Sequence, residues 1–209
     1  EPVTGVAFVF QPDIASGLGN VVLKDAYAQL NDPWMKTFSL WMGQFNRPNY
    51  EVEYSSSSRE LPERSRVITA LYPGERAIGA KLEIAPPKLA LKAQIALFNG
   101  NENLVILDAS KTSINYQANN SIRDFDNYKD LMARVTYEFR LGNLGALNVG
   151  AHGYFGKIKA NSYDLVNSDY SDNKEIEVGD ALKRNWFGVE MQFYADILGG
   201  MSIKGEYIT

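Results

Sequence analysis

The sequence predicts an all-β fold, an antiparallel transmembrane β-barrel, from three observations. Nine segments alternate apolar and polar side chains with the two-residue period of a strand. The connections between these segments are alternately short and long. The polar sides of the segments carry long charged side chains, which need water or partners. Together these features describe a sheet with one apolar face and one wet face.

The first four predicted strands have clearly different faces. They cover residues 3–10, 20–31, 37–45 and 77–85. In the second, Ala28 and Leu30 share a face opposite Tyr27, and in the fourth, Leu82 lies opposite Lys81. This alternation favours strands over helices, because helices repeat every 3.6 residues.

The remaining five predicted strands keep the same pattern. They cover residues 89–98, 130–139, 146–156, 184–197 and 201–208. In "DLMARVTYEF", Leu131 and Val135 face away from Arg134 and Thr136. The aromatics near the ends of the apolar stripes resemble the interfacial girdles of membrane barrels.

The connections discriminate between a membrane barrel and a soluble sandwich, which share the strand period. They cover residues 11–20, 31–36, 46–75, 85–88, 99–127, 140–145, 157–183 and 197–200. The first is of medium length, and after it short and long connections strictly alternate. Outer-membrane barrels have short turns on one side and long loops on the other, so the order favours a membrane barrel.

Composition excludes several function classes. The chain has no cysteine, which rules out thiol chemistry, and no apolar run approaches the roughly 18 residues of a membrane helix. A net charge of -4 argues against a nucleic-acid partner. His152 is the only histidine and no G-x-S-x-G motif accompanies it, so we expect no enzyme, no cofactor and no metal.

The polar faces also predict a wide barrel of which these 209 residues form one part. Small barrels fill their interior with side chains, whereas barrels of 16 to 18 strands enclose water. Bacterial barrels have an even number of strands, and nine is odd. We therefore expect residues 1–209 to belong to a single barrel domain of about 16 strands in the full-length protein. Lumen-facing cations are predicted on four strands: Lys81, Lys92, Arg134 and Arg184.

The connection 46–75 is rich in arginine and glutamate. A loop of this length at the mouth of a wide barrel can fold inward and narrow it, and charged side chains at a narrowing select ions. The candidate constriction and ion-binding residues are Arg47, Arg59, Arg64, Arg66 and Arg76. Five glutamates balance them across residues 43–79, so ion pairs that pin the loop are an equal alternative.

The same region resembles a known family. "GQFNRPNYEVEYSSS", "PERS" and "PGERAIGAKL" are similar to the phosphate-selective porins (porins O and P), and "LKDAYAQL" and "NWFGVEMQFY" resemble strands of that family. The resemblance implies a 16-stranded, trimeric channel of the bacterial outer membrane whose third loop lines the constriction. It also implies a preference for anions such as phosphate, which the balanced charge of residues 43–79 does not itself favour.

Two functions remain open at this point. One is passive diffusion of small ions and solutes through a water-filled pore; the other is a plugged barrel that serves as a structural or docking component of an envelope assembly. The acidic loop 163–180 lacks the order of an EF-hand, so we expect a solvated outer loop rather than a calcium site. The expected partners are outer-membrane lipid, small ions and two further copies of the chain.

Overall fold

The computed structural model describes residues 5–13, 22–53, 65–72, 75–100, 103–107, 114–118, 127–159, 181–195 and 200–209. Its main feature is one antiparallel sheet of nine strands, in which each strand pairs with the next sheet strand along the chain. The sheet is open, with its first and last strands at the edges. The all-β prediction with nine sheet strands is therefore confirmed.

The strands lie close to their predicted positions. Their bounds are β1 Val6–Asp13, β2 Val22–Asn31, β3 Phe38–Asn46, β4 Arg76–Ile84, β5 Leu91–Phe98, β8 Asp130–Arg140, β9 Ala146–Lys159, β10 Ala181–Ala195 and β11 Met201–Ile208. The longest pairing joins β9 to β10, from Ala181 opposite Lys159 to Tyr194 opposite Ala146. Short and long connections alternate along this order as the sequence predicts.

Three short elements lie within predicted loops. Strands β6 Asn103–Leu107 and β7 Ile114–Ala118 form a separate two-stranded sheet, and helix α1 Arg66–Leu71 lies between β3 and β4. Ser65 caps α1, because its Oγ accepts a hydrogen bond from the backbone N–H of Ile68 at 3.2 Å. In the described part of the chain, no helix has the length and hydropathy to cross a membrane.

One face of the sheet is apolar and largely exposed. Its side chains come from every strand, and Val189 in the middle of β10 is 57% exposed. Soluble monomers rarely leave large contiguous apolar patches uncovered. Further exposed members of this apolar face are Phe10, Met42, Ile95, Val135 and Ile203.

The opposite face, called here the polar face, contains most of the buried residues. Lys81, Gln94, Arg134, His152 and Glu190 are all less than 10% exposed on it. Buried apolar side chains occur between these polar groups, including Phe98, Met132 and Trp186. Burial is thus concentrated on the face where the ionisable side chains lie, the reverse of an ordinary soluble sheet.

Candidate functional site

Two segments of the chain after β3, residues 47–53 and 65–72, lie against the polar face. Their side chains Val52, Ile68 and Tyr72 are buried in one cluster with Phe98 and Trp186 of the sheet. The segments form part of the predicted constriction loop 46–75. These two segments therefore lie on the charged and aromatic side chains of the polar face, called here the wall.

The two loop segments are also bonded to each other. The backbone N–H of Ser65 donates to Oε2 of Glu51 at 3.1 Å, which ties the start of α1 to the first segment. Asn49 Oδ1 accepts from the backbone N–H of Glu51 at 2.9 Å and closes a tight turn. These local bonds fix the side chains of the first segment relative to the sheet.

Glu53 is the main polar contact between loop and wall. Its carboxylate accepts hydrogen bonds from Arg134 Nη1 at 2.6 Å, Lys92 Nζ at 3.2 Å and Gln94 Nε2 at 2.5 Å. Arg134 also holds Glu190 in a two-point contact, Nε to Oε2 at 3.1 Å and Nη2 to Oε1 at 2.5 Å. Glu53, Lys92, Gln94 and Arg134 are called here the loop anchor.

The loop anchor keeps Glu53 ionised. Burial alone would raise the pKa of this carboxyl group, but the charges of Arg134 and Lys92 outweigh burial and hold the pKa below its ordinary value of 4.5. The hydrogen bond from Gln94 acts in the same direction. Charge-assisted bonds of this kind are stronger than neutral ones, so the anchor fixes the loop at neutral pH.

Lys81 extends the ionic cluster towards β3. Its Nζ lies 3.8 Å from Glu83 Oε2 and 3.8 Å from the centroid of the Trp41 ring, a cation–π contact. Glu83 also accepts from Gln94 Nε2 at 2.9 Å. A continuous network of charge therefore runs across β4, β5 and β8.

A second contact between loop and wall is aromatic. Tyr72 follows α1 and packs edge-to-face on Trp186 and Tyr154, whose own rings stack with centroids 3.9 Å apart. Trp186 Nε1 donates to the Tyr72 hydroxyl at 2.9 Å, and Arg184 Nη2 donates to the Leu71 carbonyl at 3.0 Å. Arg184 thereby satisfies a carbonyl at the C-terminal end of α1, where a cation is favourable.

Arg47 lies beside this aromatic contact and is almost fully buried, at 2% exposure. Burial lowers the pKa of Arg47. Of its neighbours, Tyr154 raises this pKa electrostatically and Arg184 lowers it. Asp130 lies close enough to raise the same pKa and accepts a hydrogen bond from the Tyr154 hydroxyl. Arg47 of the loop and Arg184 of β10 thus place two guanidinium groups near each other.

The other predicted constriction residues lie apart from this pair. Arg66 is exposed at the first position of α1, where it can face solvent. Arg76 binds Asp25 on β2 through two bonds, Nε to Oδ1 at 2.8 Å and Nη2 to Oδ2 at 3.1 Å. Arg59 and Arg64 lie outside the described residues, as does the acidic loop 163–180.

All four predicted lumen-facing cations lie on the polar face. Lys81, Lys92 and Arg134 gather around Glu53 and Glu83, whereas Arg184 lies with Arg47. The structure thus brings the wall cations into two groups, and the first of these is neutralised by carboxylates.

One group of side chains on the polar face has the composition of a metal site. His152, Glu190 and Glu206 place one ligand atom each within 4.8 Å of one another. Asn49 of the loop donates to Glu206 Oε1 at 2.8 Å, so this group also touches the loop. The two-residue alternation of the strands predicts polar faces for all three side chains but does not group them.

Sequence reasoning also did not single out Glu53 and Asn49 among the loop's polar residues. Glu53 was one of five balancing glutamates, and nothing in the local pattern distinguishes it from Glu51. The available signal was the "RPN" turn directly after β3, which holds the next residues close to the sheet. Comparison with known proteins adds no further assignment, because no family model, no curated protein and no solved structure matches this chain.

Proposed function

We propose that this protein forms a porin, a passive channel for small ions and solutes in the bacterial outer membrane. The observation that carries the proposal is the inverted sheet: the apolar face is exposed, and the ionisable side chains lie on the covered face. Water on both faces would leave the apolar face without a favourable environment. Lipid on the apolar face and an aqueous lumen on the polar face satisfy both.

The loop segments support a narrowed rather than an open lumen. Residues 47–53 and 65–72 cover part of the polar face and are held there by the loop anchor and by Tyr72. In the proposal this layer forms the constriction, and the bound carboxylates and guanidinium groups border the passage. A constriction fixed by ion pairs keeps a constant size during diffusion of solutes.

The proposal also requires partners for the two sheet edges. Unpaired backbone N–H and C=O groups are too costly in the hydrocarbon region, so spanning sheets close into barrels. In the proposal further strands pair with β1 and β11, as in the 16-stranded trimer that the resemblance implies. Oligomeric state can be measured by size-exclusion chromatography with light scattering of the protein in detergent.

A plugged barrel that docks an envelope partner is the second candidate. The observation that favours it is the depth of the loop contact, since Arg47, Val52 and Tyr72 are all at most 2% exposed. A loop packed this closely could close the lumen instead of narrowing it. The two candidates differ in whether ions pass.

Conductance in planar lipid bilayers tests the proposal. The purified full-length protein is expected to give stable, stepwise increases in current at fixed voltage. The variant Glu53→Gln should change the step size because it weakens the loop anchor, whereas the control Glu138→Gln, on the same face but 40% exposed, should leave it unchanged. A folded protein without conductance in any of these forms would reject the porin and favour the plugged barrel.

Ion selectivity is a separate question within the proposal. Replacing Arg59, Arg64 and Arg66 with alanine removes three positive charges from the loop. If these arginines border the passage, the reversal potential in a salt gradient should move towards cation preference. If they only pin the loop to its glutamates, conductance should rise for both signs and the reversal potential should stay constant.

A further inference from the structure

We infer that His152, Glu190 and Glu206 form a binding site for a divalent metal ion of the zinc class on the polar face. The three residues lie on the adjacent strands β9, β10 and β11. One imidazole nitrogen and two carboxylate oxygens within 4.8 Å make a ligand set that Zn²⁺ accepts. This inference does not depend on the porin proposal, because it rests only on the described side chains.

The register of the sheet brings the three ligands together. Glu190 and Glu206 are directly opposite each other on β10 and β11, and His152 is opposite Gly188 on β9 and β10. A Cβ atom at Gly188 would overlap the His152 ring, so glycine leaves the space in which the imidazole crosses β10 towards Glu206. The site is therefore built by strand pairing rather than by a mobile loop.

Both nitrogens of His152 lack a hydrogen-bond partner among the described residues, although its side chain is completely buried. Buried polar groups normally have a partner, because an unsatisfied one costs roughly 1–3 kcal/mol. The ring nitrogens instead face the carboxylates, Nε2 at 3.5 Å from Glu206 Oε1 and Nδ1 at 3.9 Å from Glu190 Oε2. An unpartnered, buried imidazole nitrogen that faces a carboxylate, with a second carboxylate nearby, points to a ligand at that nitrogen.

Both contacts are too long for a direct hydrogen bond, and the shorter one matches the separation of two ligands of one metal ion. An N–H···O bond has a heavy-atom separation of about 2.7–3.2 Å, shorter than either contact. Two ligands at roughly 2.0–2.2 Å from a tetrahedral Zn²⁺ lie about 3.3–3.6 Å apart. The 3.5 Å between His152 Nε2 and Glu206 Oε1 is a separation of this kind.

Charge in the surrounding network also favours a cation. The cluster contains three cations, Lys81, Lys92 and Arg134, against four carboxylates, Glu53, Glu83, Glu190 and Glu206. Its net charge is -1 when all four carboxylates are ionised and the histidine is neutral. Like charges directly opposite each other in a sheet are destabilising. In the described part of the chain, the only basic side chain in ion-pair contact with Glu206 is His152.

The carboxylate ligands already have the supporting contacts that metal sites use. Arg134 holds Glu190 from one side, and Asn49 Nδ2 donates to Glu206 at 2.8 Å from the loop. Outer contacts of this type orient ligands, and their removal typically weakens metal binding by about 10- to 100-fold. A bound ion would thus link three wall strands to the loop through Asn49.

The test is titration of the full-length protein, folded in detergent and free of any histidine tag, with Zn²⁺ in a calorimeter and with Co²⁺ by visible absorption. We expect one ion per chain at this site. His152→Gln and Glu206→Gln should each weaken binding by more than about 100-fold, beyond the effect of losing an outer contact. The control Glu138→Gln should bind as the original protein does.

Asn49→Ala tests the site even if a ligand variant does not fold. It keeps all three ligands and should weaken binding by about 10- to 100-fold. The imidazole signals of His152, assigned from His152→Gln, provide a second readout by NMR and should shift on addition of Zn²⁺. Absence of binding in the original protein would overturn the inference. Equal binding in all variants would also overturn it. So would a His152 signal that responds to pH but not to Zn²⁺, because a proton and not the metal ion would then bind the ring nitrogen.

Discussion

Arg134 in the middle of β8 donates to Glu53 of the loop through Nη1 at 2.6 Å, across 81 residues of sequence, while its other guanidinium atoms hold Glu190 on β10. One side chain therefore connects the wall of the sheet to the loop that covers it. The sheet can position the loop because Glu190 on β10 holds the side chain of Arg134 on β8 in place. The polar face of the sheet and the loop that lies on it are therefore joined at the guanidinium group of Arg134.

Replacing Glu53 with glutamine tests the strength of this connection. Glu53→Gln keeps the shape of the side chain but removes the charge that Arg134 and Lys92 bind, so we expect a loss of roughly 1–3 kcal/mol in unfolding free energy. Denaturant unfolding of the folded protein in detergent provides the measurement. Glu138→Gln is the matched control, because exposed ion pairs such as Glu138 with Arg140 contribute little. Equal losses in both variants would contradict the role of Glu53.

Acid should release the loop only below pH 4.5. The pKa of Glu53 lies below its ordinary value of 4.5, so the stabilising ion pairs are fully present above that value and are lost as pH falls through the lowered pKa. Limited proteolysis across a pH series, with an acid-active protease, should show loop cleavage increasing below pH 4.5. The increase should be absent from Glu53→Gln, which has no carboxyl group to titrate. An increase between pH 5 and 7 would rule out Glu53 as the titrating group.

The aromatic contact gives an independent test of loop packing. Tyr72→Phe removes the hydroxyl that accepts the hydrogen bond from Trp186 Nε1 and leaves a buried donor unsatisfied. The expected loss of stability is roughly 1–3 kcal/mol. Tyr207→Phe serves as the control, because Tyr207 is 68% exposed on the apolar face. If Tyr72→Phe unfolds at the same denaturant concentration as the control, the loop does not depend on this bond.

The apolar face should reject a charge in a membrane and accept it in water. Val189→Arg, in the middle of β10, is expected to destabilise the protein folded in lipid bilayers by roughly 2–4 kcal/mol. Val189→Leu keeps the apolar character and should change stability little. If the face is in contact with water, arginine would be tolerated as well as leucine, and the lipid assignment would fail.

Much of the sheet could be predicted from the sequence, because alternation and connection length report on local chemistry. The faces of Leu131, Arg134 and Val135 follow directly from a period of two residues. Helix α1 was missed, since a six-residue helix within a charged loop gives too short a pattern. The hairpin β6–β7 was missed in the same way within the loop 99–127.

The candidate sites were less predictable for a different reason. The pairing of Glu53 with Arg134, and of Glu206 with His152, depends on which strands are neighbours and in what register. Register is a property of the whole sheet and leaves no mark in a short stretch of sequence. Sequence could therefore supply the residue types on the polar face, but not their partners.

The most direct test of the account is to measure whether each face of β10 contacts lipid or water. Because the described chain has no cysteine, single cysteines can be placed along the strand and spin-labelled in the protein reconstituted in bilayers. Labels at Phe187, Val189 and Met191 should be relaxed by oxygen, which dissolves in lipid, and labels at Arg184 and Tyr194, which are partly exposed on the polar face, by a water-soluble nickel complex. Relaxation of the Val189 label by the nickel complex, to the same extent as the Tyr194 label, would contradict the assignment of lipid to the apolar face.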